Sequence, residues 1–187
     1  MSTIYGSYPS ALPTPTDELI LVNYSKDIKR YARSGELCIN PSFLAAKTII
    51  LPYHYSIIKQ LFMTPPHILS AFKRIRERHK IDCTKLLTKI ALRNEKELLT
   101  FDEMLYSTAM EALGLPPKCG SPVPSTGFLA LCYALAQPET QHFPLHIFGF
   151  TWQGWAGHPW AAERQHILTV ADRGRIVIHP VQDNMQA

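Results

Sequence analysis

Apolar residues fall along this chain in two rhythms. Four short runs are nearly unbroken by polar residues: Glu18 to Asn23 (ELILVN), Thr48 to Pro52 (TIILP), His146 to Phe150 (HIFGF) and Arg175 to His179 (RIVIH). Runs of this length with turn-like flanks predict buried strands. Other segments follow the helical period. His67 to His79, after Pro65 and Pro66, sets Ile68, Leu69, Phe72 and Ile75 on one face with Lys73, Arg74, Arg76 and Arg78 largely opposite, which predicts an amphipathic helix. Asp82 to Leu92 continues in the same style. The sequence Thr100-Phe-Asp-Glu fits a capping box, with Thr100 as N-cap and Glu103 three positions on. The helix it opens is expected to end at Gly114, before Pro116 and Pro117. Phe128 to Ala136 is apolar throughout and predicts a buried helix.

Strand and helix patterns alternate, which predicts the α/β class: a parallel sheet with helices on both faces. No internal repeat and no linker interrupts the pattern, so residues 17–187 are expected to form a single α/β domain. Residues 1–16 hold prolines with Gly and Ser, and an irregular arm is expected there.

Composition narrows the classes. With 187 residues, 46% apolar and 18% charged, the chain can bury a continuous core. A net charge of +4 suits an anionic small molecule or surface better than nucleic acid. The basic face of 67–79 leaves two readings open, a solvated helix face or contact with an anionic acceptor or membrane. The longest apolar run, Phe128 to Ala136, is less than half of the roughly 20 residues a membrane span needs. No transmembrane segment is expected, and the N-terminus lacks the pattern of a secretory signal, so a cytoplasmic location is expected. Cys38, Cys83, Cys119 and Cys132 match no zinc spacing and read as free thiols. Cys132 falls inside the apolar helix and reads as core.

Candidate chemistry gathers between Pro124 and Glu163. Pro122 to Gly127 (PVPSTG) leads straight into the apolar helix. Ser125 or Thr126 can cap that helix, and Gly127 leaves room for a ligand to approach the backbone. Such a terminus favours a carboxylate or phosphate; an ordinary N-cap is the competing reading. Past the strand ending at Phe150, Thr151 to Gly157 is an aromatic and glycine loop, and His158-Pro-Trp-Ala-Ala-Glu163 opens a helix with Pro159 in its first turn. His158 is thus expected beyond the C-terminal end of a strand, where open α/β sheets bind ligands. A histidine there can take a proton near neutral pH, and Glu163 can fold back toward its ring or backbone. The alternative is a capping histidine with a first-turn glutamate serving the helix dipole. Trp152, Trp155 and Trp160 suit either sugar stacking or plain packing. His142 and His146 share a face without a third ligand, so no metal site is expected, and His166 and His179 read as ordinary helix and strand-end residues.

Pro124-Ser-Thr-Gly127 through Gly149-Phe150, followed by His158 to Glu163, resembles the small and very-small sialylmotifs of the animal-type sialyltransferases. The match covers about the last third of the chain. The family's long motif has no counterpart here, which implies a chain truncated relative to the family, a distant relative with a rebuilt donor site, or a degenerate binding protein. The resemblance implies a Rossmann-like fold in its sialyltransferase variant. It also implies a metal-independent, inverting glycosyltransferase that moves sialic acid, or the related ulosonic acid Kdo, from a CMP donor to a glycan hydroxyl. His158 would be the general base with Glu163 in support. Ser125, Thr126, Gly127 and Gly149 would meet the donor, and Trp155 and Trp160 would stack on the acceptor or donor sugar. No cofactor is implied beyond the CMP-activated sugar as co-substrate, and the partner would be a glycan or glycolipid acceptor. The chain holds no Asp-x-Asp, the usual cradle for a nucleotide-bound divalent metal. A non-catalytic relative that binds a glycan or partner chain, and a different nucleotide-sugar transferase, remain as alternatives.

Overall fold

The structure, a computed structural model, describes residues 2–5, 18–21, 26–39, 41–51, 84–116, 122–148, 150–154 and 156–179. Short parallel strands and helices alternate along these segments. In chain order they are β1 (Ser2–Tyr5), β2 (Glu18–Leu21), α1 (Lys26–Ser34), α2 (Pro41–Ala45), β3 (Thr48–Leu51), α3 (Thr84–Arg93) and β4 (Glu97–Thr100). Then follow α4 (Glu103–Ala112), α5 (Thr126–Ala136), β5 (Leu145–Phe148), α6 (Trp160–Asp172) and β6 (Ile176–His179). Strands β1 to β4 form one parallel sheet in chain order, and β5 and β6 pair as a second parallel sheet.

Strand β3 shows how the layers are built. Its side chains alternate with the period of two that any strand imposes. Ile49 and Leu51 pack with Ala32, Phe43, Leu87 and Ile90, from α1 to α3. Ile50 packs with Met110, Phe128, Leu131, Ile147, Ile167 and Ile176, from α4 to α6 and both strands of the second sheet. Helices therefore cover β3 on both faces, and one core joins the two sheets. The apolar TIIL run reflects this, because a strand buried on both sides has no position to give to a polar residue. The two-faced cover that strand–helix alternation predicts is thus present at β3.

Four of the observed strands coincide with the predicted ones. The arm is different: Ser2–Tyr5 pairs in register with Glu18–Leu21 at one end of the four-stranded order, so the expectation of an irregular segment over 1–16 fails for its first residues. Residues 6–16 lie outside the described segments, as do the predicted helix over 67–79, Cys83 and Cys119. Strand β4 was not predicted; Glu-Leu-Leu-Thr follows α3 after a short turn at Asn94 and Glu95. Its presence moves the next helix start. Thr100 is held in β4 opposite Leu51, and the N-cap of α4 is Asp102, whose Oδ1 accepts from Leu105 N at 2.7 Å. The capping box centred on Thr100 is therefore corrected by two residues. At its other end α4 stops where expected, with Gly114 at φ +65°, a conformation glycine adopts at little steric cost.

Candidate functional site

Two helix starts meet at the candidate site. The first is that of α5. Pro124 keeps the preceding backbone extended, and Ser125 takes the N-cap geometry at φ −69°, ψ 157°. Its Oγ accepts from Phe128 N at 3.1 Å, which satisfies one of the amides a helix start leaves unpaired. Phe128, Leu129, Ala130 and Leu131 then enter the core fully buried. The second start is that of α6. Pro159 stands at its N-cap without a side-chain bond to the helix, and Trp160 is its first residue.

Four hydrogen bonds lace the two starts together. Val123 N donates to Gly157 O at 3.0 Å. Val123 O accepts from His158 Nδ1 at 2.9 Å. Ser125 N donates to Glu163 Oε1 at 2.5 Å, and Ser125 Oγ donates to Glu163 Oε2 at 2.7 Å. Glu163 is 1% exposed and Ser125 5%, so these are buried, charge-assisted bonds. The loop from β5 delivers His158 and α6, which places this joint beyond the C-terminal end of β5.

The geometry redistributes the predicted roles. Glu163 does not hold the His158 ring; it crosses to Ser125, one turn into α6, and the Val123 carbonyl orients the histidine instead. A carbonyl can only accept, so Nδ1 carries the hydrogen and the neutral ring has its lone pair on Nε2. That is the tautomer of a base whose orientation is fixed from behind. Burial pushes the His158 pKa down from 6.5, opposed by the bond to Val123 O, which favours the neutral ring. Burial pushes the Glu163 carboxyl up, and the two bonds from Ser125 oppose that shift.

The anion expected at the start of α5 is present, and it belongs to the chain. Glu163 takes the Ser125 amide and hydroxyl, while Thr126 is 1% exposed. Gly127 serves packing: a Cβ there would stand 3.3 Å from Cε1 of the Phe150 ring. Ser125, Thr126, Glu163 and His158 are therefore brought together, and Gly127 joins them through Phe150. Gly149 and Trp155 lie outside the described residues. Trp160 packs edge-on against His158 with ring centroids 5.1 Å apart. It also stands over Gly154, where a Cβ would approach Cζ2 to 3.0 Å. Trp152, at φ +56°, packs on Phe150 at 5.4 Å and borders the core. A positive φ is unusual for so bulky a residue, and it marks strain in the loop next to His158.

Cys132 on α5 is a partly buried thiol whose pKa is pushed up to about 12 by desolvation and then by the Glu163 carboxylate, which suits packing rather than reactivity. A groove of about 450 Å³ runs along α6 against the end of α4, lined by Leu113, Gly114, Ala162, Gln165, His166 and Arg173 among others. It reaches neither Ser125 nor His158. His166 donates Nδ1–H to Ala112 O at 3.1 Å and meets Phe128 edge-on, which fits its reading as an ordinary helix residue. Among the described residues, no group of three or more His, Cys, Asp or Glu is placed to hold a metal ion, and no helix is long and apolar enough to cross a membrane. The residue missed by sequence reasoning is Val123: it acts through its backbone, and no side-chain pattern signals that.

No protein family, curated protein or solved structure matches this chain.

Proposed function

We propose that the chain is a sialyltransferase-like glycosyltransferase, moving sialic acid or a related ulosonic acid such as Kdo from a CMP donor to a glycan hydroxyl. His158 acts as general base in an inverting, metal-independent displacement. One observation carries the reading: Ser125 and Glu163, from two motifs 38 residues apart, are bonded to each other, and His158 between them is held at Nδ1. In the proposed reaction Nε2 of the neutral ring takes the proton of the acceptor hydroxyl as its oxygen attacks the anomeric carbon and the CMP phosphate leaves. Glu163 and Val123 are positioning groups in this scheme, and Trp160 is the side chain beside the base.

The Rossmann-like arrangement is part of the proposal. In the four-stranded sheet, α1 to α3 cover one face of β3, and after β4 the chain passes to the other face through α4 and α5. Helix α5 lies against β1. Placing β5 beside β1 gives the order 4-3-2-1-5-6, a doubly wound sheet. Its reversal point would fall between β1 and β5, at the edge where His158 emerges.

A second reading has its own support. The start of α5 spends its Ser125 amide and hydroxyl on Glu163, which leaves the donor carboxylate to be met elsewhere. A non-catalytic relative that keeps this joint and binds a glycan fits that observation. Calorimetric titration with CMP, and with UDP as control, separates the two. Selective CMP binding supports the transferase; no binding to either nucleotide favours the second reading.

A further inference from the structure

The two histidines that the sequence separates by 33 residues, His146 on β5 and His179 on β6, meet on one face of the second sheet. His146 Nδ1 lies 2.9 Å from His179 Nε2. Ring centroids are 5.1 Å apart with 24° between the planes, so the two nitrogens point toward each other in nearly coplanar rings. The register explains the meeting. His146 pairs with Val177, and His179 is two residues further along β6, hence on the same side. Leu145, Ile147, Ile176 and Ile178 face the core instead, and His146 is exposed.

We propose that His146 and His179 form a two-imidazole site for a divalent transition-metal cation of the zinc class. Neutral imidazole suits zinc, copper and nickel. Two nitrogens bound to one tetrahedral zinc at about 2.0–2.1 Å stand roughly 3.3 Å apart. The observed separation needs to open by only a few tenths of an ångström, with a modest turn of each ring. On binding, the ring that donates in this pair shifts its hydrogen to its other nitrogen, so both imidazoles stay neutral and each offers a lone pair to the cation. Among the described residues no third side-chain ligand completes a set, so water fills the remaining positions, which the exposure of His146 allows. The site clips β5 to β6 across the face opposite α5 and α6. It does not rest on the proposed sugar transfer, because neither histidine takes part in the joint at His158.

The test is calorimetric titration of the untagged chain with zinc chloride, repeated on His146→Gln, His179→Gln and His142→Gln, each checked for its fold by circular dichroism. One saturable equivalent is expected in the native chain, with affinity reduced at least tenfold in each of the first two variants and unchanged in the third. Zinc is also expected to raise the melting temperature of the native chain, and EDTA to reverse the rise. Absence of saturable binding overturns the site. So does binding that survives both His146→Gln and His179→Gln, which would place the ion on other ligands. Should either of those variants fail to fold, the zinc-dependent melt of the native chain decides: no rise rejects the clip.

Discussion

Helices α5 and α6 begin side by side but are finished differently. The start of α5 is sealed: Ser125 caps Phe128 N, and the Glu163 carboxylate covers the Ser125 amide and hydroxyl out of contact with water. The start of α6 has Pro159 at its N-cap with no side-chain cap, and the residue before it is His158. Both termini offer amides and a positive dipole end that favour an anion. The acidic residue in the first turn of α6 is spent on the neighbouring helix. A small-residue helix start can therefore serve as one half of an internal joint. The polar group left at the other half is a neutral, oriented imidazole.

The largest effect is expected from breaking that joint. Glu163→Ala leaves the Ser125 N–H and hydroxyl buried without their acceptor and should cost about 3 kcal/mol of stability. Urea denaturation measures it, and a loss below about 1 kcal/mol would show that the two helix starts do not depend on each other. Glu163→Gln keeps an acceptor for the amide and should recover most of the loss. His158→Ala acts on the other half. In an active transferase it should lower turnover about a hundredfold or more, while CMP binding stays near the native value. Equal losses in binding and turnover would make His158 a structural residue.

The two buried groups respond to pH with opposite signs. His158 has a depressed pKa, so its contribution to stability is present above its ordinary value of 6.5 and is lost as pH falls through the folded value. Turnover should follow the same limb, level above pH 6.5 and falling on the acid side. Glu163 has a raised pKa, so its relative contribution is full below 4.5 and is lost as pH rises through the folded value. The stability difference between the native chain and Glu163→Gln should therefore shift toward the variant as pH climbs from 4.5 toward neutral. A difference that stays flat over that range would mean that Glu163 is not desolvated in solution.

Much of this was visible in the residue pattern, and what was hidden has physical reasons. The strands at 18–21, 48–51, 145–148 and 176–179 are short apolar runs, and at 48–51 helices cover both faces, which leaves such a run few alternatives. Ser2–Tyr5 was hidden because its four residues mix polar and apolar side chains, and pairing with Glu18–Leu21 fixes it more than its own composition does. The spacing of His158 and Glu163 was legible, but their partners were not. Ser125 is 38 residues away from the glutamate it binds, and Val123 contributes only a carbonyl. The His146–His179 contact likewise depends on the β5–β6 register, which no local signal specifies.

A smaller effect is expected in the loop that leads to α6. Gly154 has φ +147°, and a Cβ there would stand 3.0 Å from Trp160 Cζ2. Gly154→Ala should cost about 1–2 kcal/mol, from backbone strain and from moving the indole that packs on His158. A matching change in tryptophan fluorescence would tie the loss to Trp160; a silent substitution would mean that the loop does not hold the indole.

The third helix start, that of α4, supplies the smallest and cleanest contrast, because among the described residues no side chain from another helix caps it. Asp102 caps it through one bond to Leu105 N, while Thr100 belongs to β4. Asp102→Ala should cost about 1 kcal/mol, the ordinary worth of an exposed cap. Thr100→Ala removes no cap and should cost less, a few tenths from reduced strand propensity. The reverse order would return the cap to Thr100 and shorten β4. The expected order leaves an exposed aspartate cap at about a third of the value of the buried Glu163 joint. That gap measures what burial adds when a helix start is closed by a carboxylate from a neighbouring helix.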